Sequence, residues 1–573
     1  MEIKHPKHNW ILKPQPEAKH IAQLANELSV SDVLAKLLIQ KGVSTFEEAK
    51  LFFRPSLENL HNPFLMKDMQ KAVDRIIQAI ENKENILVYG DYDVDGTTSV
   101  AMMYSFLQQF TEHITYYIPD RYHEGYGVST QGIQYAIDNE IKLIISLDCG
   151  IKSEDKVAMA AENGIDFIIC DHHLPGETLP NAIAILDPKQ ADCNYPFDEL
   201  SGCGVGFKLI QALCKTLDLP NEKYEEYLDF VAVSTAADIV PLTDENRILT
   251  YFGLRKLEEN PAIGLKVLMQ QHNENQAFTV SDIVFKIAPK INAAGRIHHA
   301  HLAVKLLISK NEDEAIELAK EIGILNSERK DLDSNVTQEA LEQIIQNQEE
   351  KNKTTVVLGK NWHKGVLGIV ASRLTDTYYR PTIVFTESKG LLVASARSVK
   401  NFSIYDALEA CSPYLEQFGG HKYAAGLTMK MEHYEDFKNA FEQYVSQNIT
   451  PSALVKSLEI NTEIKLSEIN DKFIRILKQF APFGPKNMRP VFLATNVWDT
   501  GYGRTIGNED NHLKINLFQE GTHETFPAVG FGLGEYFPYI QNRPFDIVFT
   551  IDENHWQGKT FLQLMIRDIK VPS

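Results

Sequence analysis

The pattern of apolar and polar positions changes along the chain and predicts several domains. Up to about residue 80 the apolar positions recur at helical spacing, as in residues 29–43, where Ser31 is a good N-cap and Gly42 a good stop. From residue 84 to about 260, short apolar runs alternate with amphipathic stretches. The runs at 86–90, 114–119, 143–150, 166–173 and 182–188 predict strands. This alternation predicts βαβ units that form a parallel sheet with helices on both faces.

Three further segments follow. The charged, largely helical residues 303–352 predict a solvated connecting helix, and strand-like runs then resume at 354–360, 380–385 and 390–398. After about residue 454, closely spaced strands with alternating side chains predict a small all-β barrel or sandwich. We therefore predict a helical segment (1–80), an α/β domain (81–260), a basic segment with a connecting helix (261–352), a smaller α/β domain (353–450) and an all-β domain (454–573).

Composition changes this picture in two respects. The net charge of -20 counts against a nucleic-acid partner, because phosphate contacts need lysine and arginine. A locally basic channel or bound divalent cations would answer that objection. The six cysteines form no CxxC pair, which favours reduced, buried thiols over a zinc cluster.

The start of the chain has no apolar signal region and the apolar runs are too short to span a bilayer, so we expect a cytoplasmic protein without membrane contact.

Acidic residues and histidines stand at the carboxyl ends of three of the predicted strands. They are Asp91, Asp93 and Asp95 at the end of the first strand, Asp148 at the end of the third, and Asp171, His172 and His173 at the end of the fourth. Open α/β sheets bind ligands at the carboxyl ends of their strands. Three aspartates at alternate positions would repel one another unless cations lay between them. A mixed set of carboxylates and imidazoles suits Mn²⁺ or Mg²⁺, so the sequence predicts a metal site here.

The one other interpretation of the first acidic motif, a calcium-binding EF-hand loop, fails. Its first six positions match an EF-hand loop from Asp91, but the position that needs a glutamate is Met102, inside an apolar helix. The chain also has no GxxxxGK[ST] motif, which gives no support for nucleotide-driven work. Two divalent ions held about 4 Å apart favour hydrolysis of a phosphoester instead.

These motifs resemble those of the DHH phosphoesterases. A fourth motif of that family follows at residues 231–242 and supplies Asp238. The metal ligands that the resemblance implies, for two divalent ions, are Asp93, Asp95, Asp148, His172 and Asp238. It places His173 toward the substrate or behind the ligands, and it leaves Asp91 without an assigned role. Tyr89 occupies a position where pyrophosphatase-like members carry a histidine, which argues against that branch.

The second half of the chain resembles the DHH-associated domain of the same family. Residues 418–426 are similar to its GGH motif, which implies that Gly420 and His421 hold substrate phosphate. Segments 121–129, 286–297, 364–374, 395–398 and 482–490 resemble the single-strand exonucleases of the family, and Arg121, Arg296 and Arg397 are our candidates for holding DNA phosphates, including the 5′ end. Basic residues concentrate in these segments, which favours a groove between the two α/β domains.

The resemblance also implies an OB-fold for the all-β tail. Tyr502, Phe518 and Trp556 are candidates for stacking on bases, with packing in the barrel core as the alternative for each.

The resemblance implies a 5′→3′ exonuclease that hydrolyses single-stranded DNA to 5′-mononucleotides in repair and recombination, with Mn or Mg. A single-strand-binding protein and a RecQ-type helicase are the implied partners, and the multidomain build predicts a monomer. One alternative is a phosphodiesterase of short oligonucleotides or cyclic dinucleotides, but such members are usually shorter. Another is an inactive replication scaffold, which the presence of every expected acid and histidine disfavours.

Overall fold

A computed structural model describes residues 5–270, 277–521, 524–556 and 559–571. The chain forms two compact units. The central unit comprises Arg54–Asp331 and Ala481–Met488, and the terminal unit comprises Met1–Phe53, Leu332–Phe480 and Arg489–Ser573. No helix in the described part of the chain is both long and apolar enough to cross a bilayer.

The first piece of the terminal unit is a strand followed by three helices, β1 (Asn9–Leu12), α1 (Ala18–Leu28), α2 (Asp32–Ile39) and α3 (Phe46–Phe53). As predicted, the Ser31 side chain caps α2. The prediction of a wholly helical start is wrong at β1, which pairs in parallel with Ser457–Ile460. Asp568 also accepts hydrogen bonds from the backbone of His8 (2.9 Å) and from the indole of Trp10 (2.9 Å). Because these partners lie near the other end of the chain, a local pattern could not indicate them.

The central unit is built on a parallel five-stranded sheet. Its elements are α4 (Met69–Glu81), β2 (Ile86–Gly90), α5 (Val94–Leu107), β3 (Ile114–Tyr117), α6 (Thr130–Asp138), β4 (Leu143–Leu147), α7 (Glu154–Glu162), β5 (Asp166–Cys170) and β6 (Ala184–Leu186). The strand order is β3-β2-β4-β5-β6. Alternate residues of each strand point to opposite faces. Val88 packs in a core with α4 and α5, whereas Leu87 packs in a second core with α6 and α7. The predicted parallel sheet is confirmed.

Helices complete the central unit. They are α8 (Gly202–Thr216), α9 (Glu222–Glu225), α10 (Leu228–Ala237), α11 (Asp244–Glu259), α12 (Ile263–Met269), α13 (Val280–Asp282), α14 (Ala288–Ile297) and α15 (His301–Ile308). The long helix α16 (Glu312–Gln346) begins in the central unit and ends in the terminal unit. A buried ion pair joins α8 to α11, with Lys208 Nζ 2.9 Å from Glu245 Oε1 and neither side chain exposed. Nζ also donates to the carbonyl of His61 at 2.7 Å. The long helix α16 lies in the segment predicted to connect the domains.

The middle of the terminal unit is a smaller α/β fold. It contains β7 (Thr355–Gly359), α17 (Leu367–Tyr378), β8 (Thr382–Ser388), β9 (Leu391–Arg397), α18 (Ile404–Ala410), β10 (Gln417–His421), β11 (Ala424–Met429) and α19 (Tyr434–Asn448). The sheet order is β10-β11-β9-β8-β7. Only β7 and β8 run parallel among the described pairs, so this sheet is mixed.

The end of the terminal unit is a β-barrel. This part of the chain contains β12 (Ser457–Ile460), β13 (Thr462–Glu463), α20 (Asp471–Lys478), β14 (Phe492–Asp499), β15 (Arg504–Ile506), β16 (His512–Gln519), β17 (Phe526–Gly530), α21 (Phe537–Ile540), β18 (Phe545–Trp556) and β19 (Lys559–Lys570). Strand β12 pairs with β1 in a separate two-stranded sheet, and the other strands form one sheet. The sheet runs β14-β18-β19-β17-β16, and β16 pairs back with β14. This closed five-stranded barrel is the architecture of the predicted OB-fold.

Candidate metal centre

Neighbouring parallel strands bring the predicted acids to one edge of the central sheet. Asp91 follows β2, and Asp93 caps α5 by accepting a hydrogen bond from the Gly96 amide at 3.1 Å. Asp148 follows β4, whose register against β2 places the two strand ends side by side. The Asp148 backbone has a φ of 61°, in the left-handed region that non-glycine residues seldom adopt. The fold therefore holds this carboxylate in place at a local conformational cost.

His172 lies at the middle of the predicted ligands. Its Nε2 atom is 3.1 Å from Asp148 Oδ1, 3.6 Å from Asp95 Oδ2 and 3.6 Å from Asp238 Oδ2. A second group, Asp91, Asp93 and Asp148, offers ligand atoms that all lie within 4.8 Å of one another. Asp148 belongs to both groups, which is the arrangement that two neighbouring cations would require. The structure thus brings together all five residues that the resemblance implied as ligands.

The start of helix α8 positions Asp95. The backbone amides of Gly202 and Cys203 donate to its carboxylate at 2.7 and 2.8 Å. The Ser234 hydroxyl of α10 donates to the same carboxylate at 2.7 Å. Gly202 also lies against Asp148, because a Cβ atom built on this glycine would be 2.6 Å from the Asp148 Cβ. Only a residue without a side chain fits between the helix and the carboxylate.

Asp171 supports the two histidines from behind. Its buried carboxylate accepts hydrogen bonds from the amide of Ile151 (2.9 Å), the amide of His172 (2.8 Å) and the Nδ1 atom of His173 (2.7 Å). Burial alone would raise the pKa of Asp171, but the bonds and charge of His173 outweigh burial and lower it to about 2. The triplet was visible in the sequence, whereas this supporting role depends on the loop that carries Ile151.

Tyr126 is a site residue that the sequence analysis missed. Its hydroxyl lies 3.1 Å from His173 Nε2, and its side chain is exposed. Burial lowers the pKa of His173, but the hydrogen bond with Asp171 more than compensates and raises it to about 9. The segment 121–129 was noted for its resemblance to the single-strand exonucleases of the family and for Arg121, and nothing in its spacing indicates that Tyr126 reaches the histidine pair.

The electrostatics of the cluster fit bound cations. Burial raises the pKa of Asp148 and Asp91 well above the usual range, and repulsion from neighbouring aspartates adds to it. The same causes raise the pKa of Asp238 to about 8. Neither carboxylate oxygen of the buried Asp91 has a hydrogen-bond partner among the described residues. Oxygen-rich ligands with one imidazole, left with excess negative charge, match the preference of Mn²⁺ and Mg²⁺.

The remaining predicted residues are divided between the units. In the central unit the Arg121 guanidinium lies over the ring of Tyr92, 4.9 Å from its centroid, and Arg296 lies in α14 and accepts a hydrogen bond from the Tyr122 hydroxyl through its carbonyl. In the terminal unit Arg397 lies in β9, and Gly420 and His421 lie exposed in β10. Their proposed contacts with phosphate stay predictions.

The stacking candidates of the barrel differ in exposure. Tyr502 is 83% exposed, so packing in the barrel core does not account for its position. Phe518 in β16 is half-buried, which is compatible with either role. The side chain of Trp556 lies outside the part of the chain that the structure describes.

Family models match three parts of the chain. The DHH family N-terminal domain matches residues 85–235, the DHHA1 domain matches residues 331–447, and the RecJ OB domain matches residues 460–568. The first match contains every residue predicted as a metal ligand except Asp238, and the last contains the closed barrel.

Relatives match nearly the whole length. The single-stranded-DNA-specific exonuclease RecJ of Bacillus subtilis is 38% identical over 570 residues, which are 99% of this chain and 71% of the relative. The enzyme of the same description from Escherichia coli is 31% identical over 96% of this chain and 98% of its own. A crystal structure of RecJ with Mn²⁺ from Thermus thermophilus superposes with a TM-score of 0.84 at 26% identity, covering 99% of this chain and 80% of that one.

Proposed function

The chain belongs to the RecJ family of single-stranded-DNA-specific exonucleases, and from that premise we propose that it removes nucleotides from the 5′ end of a single strand as 5′-mononucleotides. It is a DHH phosphoesterase that works on single-stranded DNA with Mn²⁺ or Mg²⁺. The observation that carries the proposal is the cluster of carboxylates around His172 Nε2.

We propose Asp93, Asp95, Asp148, His172 and Asp238 as the ligands of two divalent ions. When bound, such ions lower the pKa of water and neutralise the charge that develops on phosphate oxygens. The protein fixes the ligands beforehand. The α8 amides hold Asp95, Asp171 holds the backbone amide of His172, and the left-handed backbone of Asp148 directs its carboxylate into both groups. Ligands that are already ordered lose little conformational freedom on binding.

Other side chains would hold the DNA. Asp171 fixes the ring of His173, so that its Nε2 atom faces Tyr126 and an approaching phosphate. We propose that Arg121 and Arg296 bind phosphate oxygens near the 5′ end, and that Arg397, Gly420 and His421 bind phosphates from the terminal unit. Guanidinium groups suit this task because they present several donors in a plane. Exposed Tyr502 would stack on a base of the strand.

The test uses two buried aspartates that each follow a strand of the same sheet. Asp148 follows β4 and lies in the cluster, whereas Asp187 follows β6 and lies outside the metal-binding groups found among the described residues. We expect Asp148→Asn to lower the rate of DNA hydrolysis by at least about 100-fold, since even the loss of a group that supports a ligand costs 10- to 100-fold. Asp187→Asn should stay within a few-fold of the wild type.

The assay is digestion of a long single-stranded oligonucleotide that carries separate labels on its two ends, with Mn²⁺ or Mg²⁺ present. Early release of labelled mononucleotide from the 5′ end alone is the expected result. Early release from the 3′ end would contradict the proposed polarity, and full activity of Asp148→Asn would contradict the proposed ligands.

We further propose that the protein acts as a cytoplasmic monomer, with a single-strand-binding protein and a RecQ-type helicase as partners. Family membership supports this proposal, because an enzyme specific for single strands needs duplex to be opened for it. Light scattering after gel filtration and co-purification with either candidate partner would test it.

A further inference from the structure

Ile239 combines an unusual backbone with an exposed apolar side chain. Its φ is 62°, in the left-handed region. A β-branched residue rarely adopts this region, because its Cβ crowds the following carbonyl. The side chain is nevertheless 65% exposed, so the free energy gained by burying it offsets little of the backbone strain. Strained residues of this kind persist where the surrounding structure fixes them, and they concentrate at functional sites.

The flanking residues hold Ile239 in this conformation. On one side, the amide of Asp238 continues helix α10 with a bond of 2.9 Å to the carbonyl of Ser234. On the other side, the buried Leu242 donates its amide to the carbonyl of Pro485 at 2.8 Å. The Asn246 amide group donates to the carbonyl of Pro241 at 3.0 Å. With both ends of the loop tied down, the side chain of residue 239 is directed into solvent.

The position of Ile239 relates it to the cluster. It directly follows Asp238, whose Oδ2 atom lies 3.6 Å from His172 Nε2. Leu174, which directly follows His173, is 70% exposed, and Tyr126 beside His173 is 58% exposed. Three residues that expose apolar surface thus stand next to predicted site residues, Ile239 and Leu174 by their place in the chain and Tyr126 through its contact with His173. A phosphodiester alone would gain nothing from apolar neighbours, whereas a nucleotide also carries a base with an apolar face.

We propose that Ile239 packs against the base of a nucleotide that flanks the scissile phosphate, and so positions that phosphate at the cluster. The inference rests on the proposed function, since it takes single-stranded DNA as the substrate. Contact with the face of a base requires no hydrogen bonds, so it would serve every sequence equally. The left-handed backbone presents the side chain to the substrate rather than to the core.

The experiment measures the activity of each enzyme variant on two single-stranded substrates. The variants are Ile239→Gly and Ile239→Asn, both of which tolerate a positive φ, and Ile239→Val, which keeps an apolar side chain. Ile324, 68% exposed on α16 outside the site, gives the matched control Ile324→Asn. Each enzyme digests a normal single strand and one in which both nucleotides that flank the scissile bond lack bases. Thermal unfolding of each variant reports on the fold.

We expect Ile239→Gly and Ile239→Asn to unfold at or above the wild-type temperature, because the strain is relieved. On the normal strand their kcat/KM should fall by about 5- to 30-fold, the loss of burying most of one isoleucine side chain. On the abasic strand they should equal the wild type, since the base they would miss is absent. Ile239→Val and Ile324→Asn should stay within about threefold of the wild type on the normal strand.

Two results would overturn the inference while leaving the exonuclease function in place. One is unchanged kcat/KM of Ile239→Gly on the normal strand, and the other is an equal loss on the normal and abasic strands. If the wild type digests neither strand, the proposed function itself fails and the inference falls with it.

Discussion

Replacing Gly202 with alanine should damage the candidate metal centre more than it damages the fold. The Cβ of the new residue would lie 2.6 Å from the Asp148 Cβ and 2.8 Å from its Cα. Carbon atoms in contact prefer about 3.5–4.0 Å, so helix α8 and the Asp148 turn must separate by about 1 Å. The same helix start carries the amides of Gly202 and Cys203 that hold Asp95. The predicted ligands in both groups, the one around His172 and the one with Asp91 and Asp93, are therefore displaced together.

The two expected effects differ in size. Overpacking at one position typically costs about 1–3 kcal/mol of unfolding free energy, and helix propensity offsets little of that because Gly202 is the first residue of α8. A displacement of about 1 Å in a catalytic arrangement can cost about 100-fold in rate. We therefore expect Gly202→Ala to remain folded, with a modestly lower melting temperature and about 100-fold lower kcat on single-stranded DNA.

The matched control is Gly323→Ala in helix α16. A Cβ at Gly323 would meet no atom within 4 Å, so this variant should gain up to about 1 kcal/mol of stability and keep full activity. The measurements are a melting curve for each protein and initial rates of nucleotide release. Activity of Gly202→Ala within threefold of the wild type would refute the reasoning, because it would mean that the close approach does not align the ligands.

Two further predictions concern polar groups away from the candidate centre. Lys208→Met should lower the free energy of unfolding by about 3–5 kcal/mol, because the buried Glu245 would lose its counter-charge. The Lys208→Met/Glu245→Gln double variant should regain part of that stability, which urea unfolding and hydrogen exchange in α8 and α11 would measure. Additive costs of the two single substitutions would contradict the coupling of the two residues. Burial by itself would raise the pKa of Asp568, but the hydrogen bonds from His8 and Trp10 outweigh burial and lower it. The stabilisation from Asp568 is therefore full at neutral pH and is lost as the pH falls through the folded-state pKa. Asp568→Asn should accordingly flatten the acid side of the stability curve measured by thermal unfolding between pH 3 and pH 7.

Much of the central unit was predictable from the sequence because it rests on local periodicity. The run at residues 86–90 was predicted as a strand and is β2, and Asp91 follows it as expected. Parallel strands place their carboxyl ends together, so strand ends alone brought Asp148 and His172 into one predicted site. The fourth-motif aspartate, Asp238, was found by resemblance only, because it ends a helix and no strand pattern leads to it.

Features that depend on distant partners were not predictable. Strand β1 is four residues long and pairs with a strand near the other end of the chain, so its own sequence carries too little signal. The role of Tyr126 depends on a loop that brings its hydroxyl to His173, 47 positions later. The exposure and the left-handed backbone of Ile239 arise from anchors on both sides of its loop, and a hydrophobic residue in an apolar segment would ordinarily be assigned to the core.

The pairing of β1 with β12 has a consequence for synthesis on the ribosome. The central unit lies almost entirely within Arg54–Asp331, so most of it leaves the exit tunnel long before the barrel is made. Residues 9–12 must wait for Ser457–Ile460, and Trp10 waits further for Asp568. For the 558 positions between Trp10 and Asp568, synthesis at about 5–20 residues per second takes roughly half a minute to two minutes. During that interval the leading strand of the nascent chain has no partner, so its backbone N–H and C=O groups stay available for pairing with another chain until β19 has been made.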